Sequence, residues 1–373
     1  SGQETIDLEI ERDNGIDRDQ RVKLKFSVKE YPNYQKLASS PNIQEYSVIA
    51  ISQFAYSSNL NRICRSVKGN PIANVQKIFS DDLNTQTEVK TTCVSSFDGV
   101  ITIQSPLKAV EWLRGKSFDA SGSPNFTYSI LTSDRVQIQS LGDMWSNKNT
   151  RLRKYKYLQF IKNPTGTREF YHENAIRILD MKSNISLDKL KQAIRGGFAS
   201  TTRIVDVTNK TYVERVFDFT RDPLLTNTKL NKDKSPFSLN PQLSFGLLSS
   251  GLKSINQFGG ASVSTLATNT AGNDGNPNSS TGPMAENIAR AKSFYANMDA
   301  VSHMIVVYGD FNLNPGRKIG IEIPKAVNAE EYEKLGRDEI LDKSLSGDYI
   351  VATVAHSFVD GIYTAKAQII KEA

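Results

Sequence analysis

Histidine, cysteine and long apolar runs are scarce in this chain, and each scarcity removes a class of function. The 373 residues hold three histidines, His172, His303 and His356, and two cysteines, Cys64 and Cys93. None has the spacing that zinc or a redox dithiol requires, so no metal site is expected. The two cysteines are expected to remain thiols, as they do in a reducing cytoplasm. No apolar run approaches the roughly 20 residues that a membrane helix needs, and the start shows no charged-then-apolar leader pattern. The expectation is a soluble protein assembled in the cytoplasm, without membrane insertion. Also missing are a G-x-S-x-G elbow, a phosphate-binding P-loop and a G-x-G-x-x-G run after a strand. Acidic residues number 40, yet no two stand out as the carboxylate pair of a glycosidase. No catalytic residue and no cofactor is expected, and the chain is not expected to be an enzyme.

What is present looks globular. Hydrophobic residues make up 38% and charged residues 23% of the chain, which is enough apolar material for two or three domains. The formal net charge of +6 is mild for this length. It permits contact with nucleic acid or an acidic partner without requiring either.

Periodicity organises the chain. Ile6, Leu8 and Ile10 alternate with acids, Val22, Leu24, Phe26 and Val28 alternate with polar residues, and Tyr46 to Ile51 supplies a third strand. Lys23, Lys25 and Lys29 share one side, as on the solvated face of a half-buried sheet. Short strands joined by turns, with no helix between them, predict an antiparallel sheet or barrel over residues 1–68. A mixed α/β unit is predicted over 69–175. There Asn70-Pro71 and Ser105-Pro106 open two helices, each with a capping residue followed by proline at the first helical position. Ser186 to Gly197 reads as a short capped helix, with two strands after it. Residues 176–235 and 300–373 are predicted as a second β-barrel domain. Between them, 236–299 is a loop-rich insertion of Ser, Asn, Gly and Thr that ends in a helix. The Asp360-Gly361 pair predicts a tight hairpin close to the C-terminus. The fold class expected is therefore mainly β with α+β parts: two small antiparallel barrels, a mixed middle domain and an insertion.

Two stretches carry candidate sites. In the run from Tyr308 to Ile323, Asn314-Pro315-Gly316 reads as a structural turn, because proline presets its first corner and glycine accepts the positive φ that follows. Strand patterns flank it, so the run is a β-hairpin or a β-arch. The second stretch, Arg151 to Tyr157, interleaves cations and aromatics, and makes Arg151, Arg153, Lys154 and Lys156 a candidate basic surface. It reads either as a nucleic-acid path of phosphate contacts and stacked bases or as a strand with packed aromatics and solvated cations.

The sequence Gly309-Asp310-Phe311-Asn312-Leu313-Asn314-Pro315-Gly316 resembles the Gly-Asn-Phe-Asn-Leu-x-Pro-Gly signature of the baseplate hub proteins of T-even-type contractile-tailed phages. The Pro71 helix, the Pro106 helix with Trp112, the 186–197 helix leading into Phe198-Ala199-Ser200, and the ending from Val351 through His356 to Phe358 also fall in that family's order. The resemblance implies two similar small barrels per chain and a homotrimer, whose six barrels match a sixfold tail tube above and a threefold central spike below. It implies the spike and the tail tube or tube-initiator protein as partners, contacts with tape-measure and baseplate wedge proteins, and DNA only in transit. It also implies strands before the segment at 4–30, since the chain is already in strand pattern by Ile6. The 236–282 stretch departs from the family in its length and Ser/Asn content. Set against this reading is a nucleic-acid-binding or processing protein that uses 151–157.

Overall fold

A computed structural model describes residues 4–12, 20–36, 44–130, 133–146, 153–157, 176–185, 194–197, 199–206, 210–218, 244–245, 253–254, 263–268, 281–298, 301–325, 341–342 and 345–371. The protein is mainly β with α+β character. Its chain divides into two compact units, Ser1–Ser117 with Thr127–Ile138, and Phe118–Phe126 with Gln139–Ala373.

In the first unit, β1 (Thr5–Arg12), β2 (Gln20–Lys36) and β3 (Gln44–Ser52) form an antiparallel sheet in that order. The alternation in the sequence sets its register. Ile6, Leu8 and Ile10 lie opposite Phe26, Leu24 and Val22, while Asp7 and Glu9 lie opposite Lys25 and Lys23. One face is therefore apolar and the other cross-paired by charge, with Lys23 Nζ 3.6 Å from Glu9. No helix was expected before residue 68, yet α1 (Gln53–Leu60) follows β3 directly and buries Ser58. That Oγ accepts a hydrogen bond from the Leu107 backbone N–H, a long-range contact that local periodicity does not encode.

β4 (Ile63–Val67) leads into α2 (Pro71–Lys77), whose start follows the expected chemistry: Asn70 Oδ1 accepts from the N–H groups of Ile72 and Ala73, and Pro71 occupies the first position. A π-helical turn at Ile78–Asp82 extends it. β5 (Gln86–Val89) and β6 (Gly99–Gln104) precede α3 (Pro106–Arg114). Ser105 stands at the head of α3 but makes no capping bond through its side chain. Ile72, Val75, Ile78 and Phe79 pack with Val110, Leu113 and Ile101 as one core. β4 pairs with β6, and β5 joins β7 (Asn125–Ile130) and β8 (Ser133–Ser140) in the order β5-β8-β7.

The second unit continues with α4 (Leu141–Ser146), β9 (Lys154–Lys156), β10 (Ile178–Ile185), β11 (Ala199–Asp206), β12 (Thr211–Asp218), the short pair β13 (Ser244–Phe245) and β14 (Lys253–Ser254), β15 (Val263–Thr268) and α5 (Thr281–Met298). It closes with β16 (Val301–Tyr308), β17 (Lys318–Glu322), β18 (Gly347–Val359) and β19 (Ile362–Lys371). Six of these strands form one sheet in the order β10-β16-β19-β18-β17-β9. Its two outer strands meet where Lys156 N–H donates to Ile176 O at 2.8 Å, beside a parallel bridge between Lys156 and Arg177. The sheet is thus a curled half-barrel, and its interior holds Tyr155, Ile178, Ile305, Ile319, Ile321, Tyr349, Val351 and Ile369.

Three placements differ from the sequence reading. β9 lies in this half-barrel instead of in the mixed unit. β11 and β12 stand apart from it in a sheet of order β12-β11-β15, against which α5 packs. The stretch expected to be an insertion supplies β15, which pairs parallel to β11 from Thr201↔Val263 to Asp206↔Thr268. The helix expected at 186–197 falls outside the described residues except for 194–197, and most of 236–282 likewise falls outside them.

Candidate functional site

β16 and β17 flank the Asn-Pro-Gly turn but do not pair with each other. β16 pairs with β10 and β19, while β17 pairs with β18 and β9. The run from Tyr308 to Ile323 is therefore an arch, and its loop, 309–317, crosses one end of the half-barrel. Phe311 and Leu313 drop fully buried side chains into that end. The turn itself has the geometry expected of its residues. Arg317 N–H donates to Asn314 O at 3.3 Å, Pro315 sits at the first corner, and Gly316 has φ +75° at the second. Gly316 N–H then donates to Val351 O, and Val351 N–H to Arg317 O, which ties the corner to β18. Asn314 Nδ2 donates to Phe311 O at 2.7 Å and holds the loop from within.

Asp310 is the centre of the arch, and no local signal in the sequence marked it. Its carboxylate is buried. Oδ1 accepts from Asn312 N–H at 2.9 Å, an Asx turn that shapes the loop. Oδ2 accepts from Tyr155 OH at 2.8 Å and from Arg153 Nη1 at 2.7 Å. The two stretches singled out by sequence are thus joined through one carboxylate. Burial first, and then the Asp310 charge, push the Tyr155 phenol well above its ordinary value, so it serves as a donor throughout the physiological range.

This arrangement places the basic run. Arg151 falls outside the described residues. Arg153 is held by Asp310 and lies over the Tyr155 ring, 5.8 Å from its centroid. Lys154 projects outward, with Nζ 3.5 Å from Glu322. Lys156 is half-buried and anchors β9 to Ile176. The aromatic ring at the middle of the run is inside the half-barrel rather than on a surface where a base could stack.

At the opposite end, His303, Tyr349 and Lys371 form a second buried polar cluster. Tyr349 OH donates to Leu345 O at 2.5 Å, so the His303 ring donates to Tyr349 Oη from Nε2, 3.1 Å away. Nδ1 is then a buried lone pair with no hydrogen-bond partner among the described residues. Lys371 donates to Ser346 O at 3.0 Å and has Nζ 5.6 Å from the Tyr349 ring centroid. Burial, with Lys371 adding to it, lowers the His303 pKa to about 4. His356, also on a strand, accepts or donates through Nδ1 to Tyr363 OH at 2.8 Å and is lowered by burial too. His172 falls outside the described residues, and no cluster of His, Cys, Asp and Glu that could hold a metal occurs among the described ones.

Two predictions arise here. A histidine held neutral in the fold and protonated more readily when unfolded supports stability above its ordinary value of 6.5 and loses that support as pH falls toward 4. His303 should therefore account for about 3 kcal/mol of acid destabilisation across that window. Denaturant unfolding of His303→Gln at pH 7.5 and pH 4.5 should show a smaller drop than the wild-type chain by that amount. The second concerns the turn. Gly316→Val forces a β-branched residue to the φ of +75° seen at that corner and should cost about 2 kcal/mol, read as a lowered urea midpoint with unchanged slope.

The mainly β fold of this chain is similar to that of a solved tail protein. The tail protein from Neisseria meningitidis MC58 matches over 94% of this chain and 81% of its own, with a TM-score of 0.50 and 8% sequence identity. The 43 kDa tail protein of prophage MuSo2 from Shewanella oneidensis matches over 98% and 88%, with a TM-score of 0.45 and 9% identity. No family model and no curated protein matches the sequence.

Proposed function

We propose that this chain is the structural hub of a contractile phage tail baseplate: three copies form a ring that adapts the sixfold tail tube to the threefold central spike and leaves a channel for DNA. The observation that carries this reading is the fold shared with the Neisseria tail protein along 94% of the chain. The Gly309–Gly316 sequence, which resembles the hub signature, supports it. The physical role fits the arch, since a half-barrel locked by Asp310, Asn314 and Gly316 resists shear better than an open sheet. Such a hub works by transmission rather than catalysis. Its partners would be the spike, the tube or tube-initiator protein, and the tape-measure and wedge proteins, with the virion tail as its location. Its lumen wall would be neutral or acidic, so that DNA passes without being held.

The nucleic-acid reading loses its support in the geometry of 153–156. Arg153 is committed to a buried carboxylate, Lys154 faces Glu322, and Tyr155 is inside. The test is the mass of the purified chain, alone and co-expressed with the spike protein of the same tail. A species of three chains supports the hub, and a single chain in both samples overturns it. Retention of DNA that disappears in Arg153→Ala/Lys154→Ala would favour the other reading.

A further inference from the structure

Sheet edges expose unpaired N–H and C=O groups, and proteins guard them with charges, prolines or short strands. Among the described residues, the edge strand β1 carries Asp7, Glu9 and Glu11, β10 carries Asp180 and Lys182, and β12 carries Glu214 and Arg215. The six-residue edge strands β6, β7 and β15 are uncharged, and two edges with longer uncharged runs also lack such guards. One is the outer half of β18. β17 covers Gly347–Ile350 and the arch covers Val351, but from Thr353 to Val359 only β19 pairs with β18 among the described residues. The other is β3, which is uncharged from Tyr46 to Ser52 and, among the described residues, has a neighbour, β2, on one side only.

Local geometry shows which groups of β18 are available. Asp360 (φ +50°) and Gly361 (φ +75°) form a two-residue turn of the kind that makes the flanking residues, Val359 and Ile362, exchange both hydrogen bonds. By alternation, the backbone groups of Phe358, His356 and Val354 point away from β19. Around them the surface is apolar: Phe358 is 48% exposed, Val359 61% and Ile362 59%. Phe358 is nonetheless rigid, stacked on Tyr363 at 4.3 Å between centroids. On β3, Tyr46 and Ile49 are likewise exposed. The runs Thr353–Val359 and Tyr46–Ser52, each unpaired on one side among the described residues, match in length and in lack of charge, but they are different surfaces. A chain with two different matching edges joins head to tail, and such a contact closes into a ring when its rotation allows.

We propose that the free edge of β18 in one copy pairs with the free edge of β3 in the next, so that a sheet continues from chain to chain. The inference rests on the ring reading above and adds to it the surfaces that make the ring. Val354→Pro removes an outward N–H from β18 without touching the ladder to β19. In β3, Ser47→Pro and Val48→Pro are made separately, because one of two successive residues presents its N–H to the open edge. With wild-type circular dichroism, Val354→Pro and one of the β3 variants should each sediment as a single chain. Mixed together they should give a species of two chains and nothing larger, since each retains one sound edge. A folded Val354→Pro that assembles like wild type overturns the edge pairing and leaves the ring standing, whereas a wild-type chain that never assembles overturns the ring itself. A variant with Cys64→Ser, Cys93→Ser, Ser47→Cys and Ser357→Cys reports independently of any proline. A short bis-maleimide should link it into covalent dimers and trimers, and an assembled sample that gives no links overturns the pairing.

Discussion

Asp310→Ala should lower the unfolding free energy by about 3 kcal/mol, a large share of the roughly 5–15 kcal/mol by which a fold is stable. Its carboxylate is buried and accepts three hydrogen bonds, from Asn312 N–H, Tyr155 OH and Arg153 Nη1. Removing it leaves the phenol and the amide with no acceptor, and a guanidinium without its counter-charge. Arg153 is 30% exposed, so water can reach it, which is why the effect should fall at the lower end for a broken buried pair. Two variants separate the contributions. Tyr155→Phe deletes one neutral donor and should cost about 1 kcal/mol. Arg153→Ala strands the carboxylate and should approach the cost of Asp310→Ala. The double variant Asp310→Ala/Arg153→Ala should then be less destabilised than the sum of the singles, since each single change has already broken the same pair. Urea unfolding of the four chains is the check. Additive costs would mean that the pair is incidental to the arch.

Gly309→Ala should be at least as severe, for a steric reason. Gly309 N–H donates to Tyr363 O at 2.9 Å, and a Cβ on Gly309 would land within the Tyr363 ring. That ring cannot step aside, because Phe311, His356 and Phe358 all pack on it. Either β19 or the arch must shift, and overpacking of this kind costs about 3 kcal/mol or more. Truncating the obstacle should restore part of the loss: Gly309→Ala/Tyr363→Ala should be more stable than the two single costs combined imply. Thermal unfolding of the three variants reads this directly. Wild-type stability in Gly309→Ala would refute the packing of the arch against β19.

How much of this could be read from the sequence depends on how local its cause is. The alternation of Ile6, Leu8 and Ile10 against Val22, Leu24 and Phe26 fixes both the strands and their register, because a slip by one residue would turn the apolar set outward. The Asn70 cap, the positive φ at Gly316 and the Asp360-Gly361 turn were legible for the same reason, since each needs only neighbours in the chain. The arch could not be told from a hairpin, because that depends on which strands lie between β16 and β17, and β18 and β19 come later in the chain. Asp310 looked like an ordinary turn residue. Its role comes from Arg153 and Tyr155, which are more than 150 residues away along the chain. For the Arg151–Tyr157 run the sequence left two readings open, because the partners of its described cations are just as distant in the chain. The acidic partners of Arg153 and Lys154 are Asp310 in the arch loop and Glu322 on β17, which nothing near 151–157 reveals. Helix α1 was missed because its amphipathic stripe is weak and its support is tertiary, through Ser58 to Leu107.

These contacts link β9, the arch and β18 in one series. Arg153, just before β9, and Tyr155 on it hold the arch, the arch holds β18 through Val351, and β18 carries the exposed apolar hairpin end. A change at Asp310 should therefore reach the surface through which copies are proposed to join, and Asp310→Asn should weaken assembly even where the chain remains folded. The most direct measurement of the hub reading is an electron micrograph of the purified full-length chain at assembling concentration. Class averages should show a threefold ring of three chains around an open pore. Particles of a single chain, or closed assemblies with no central channel, would contradict it.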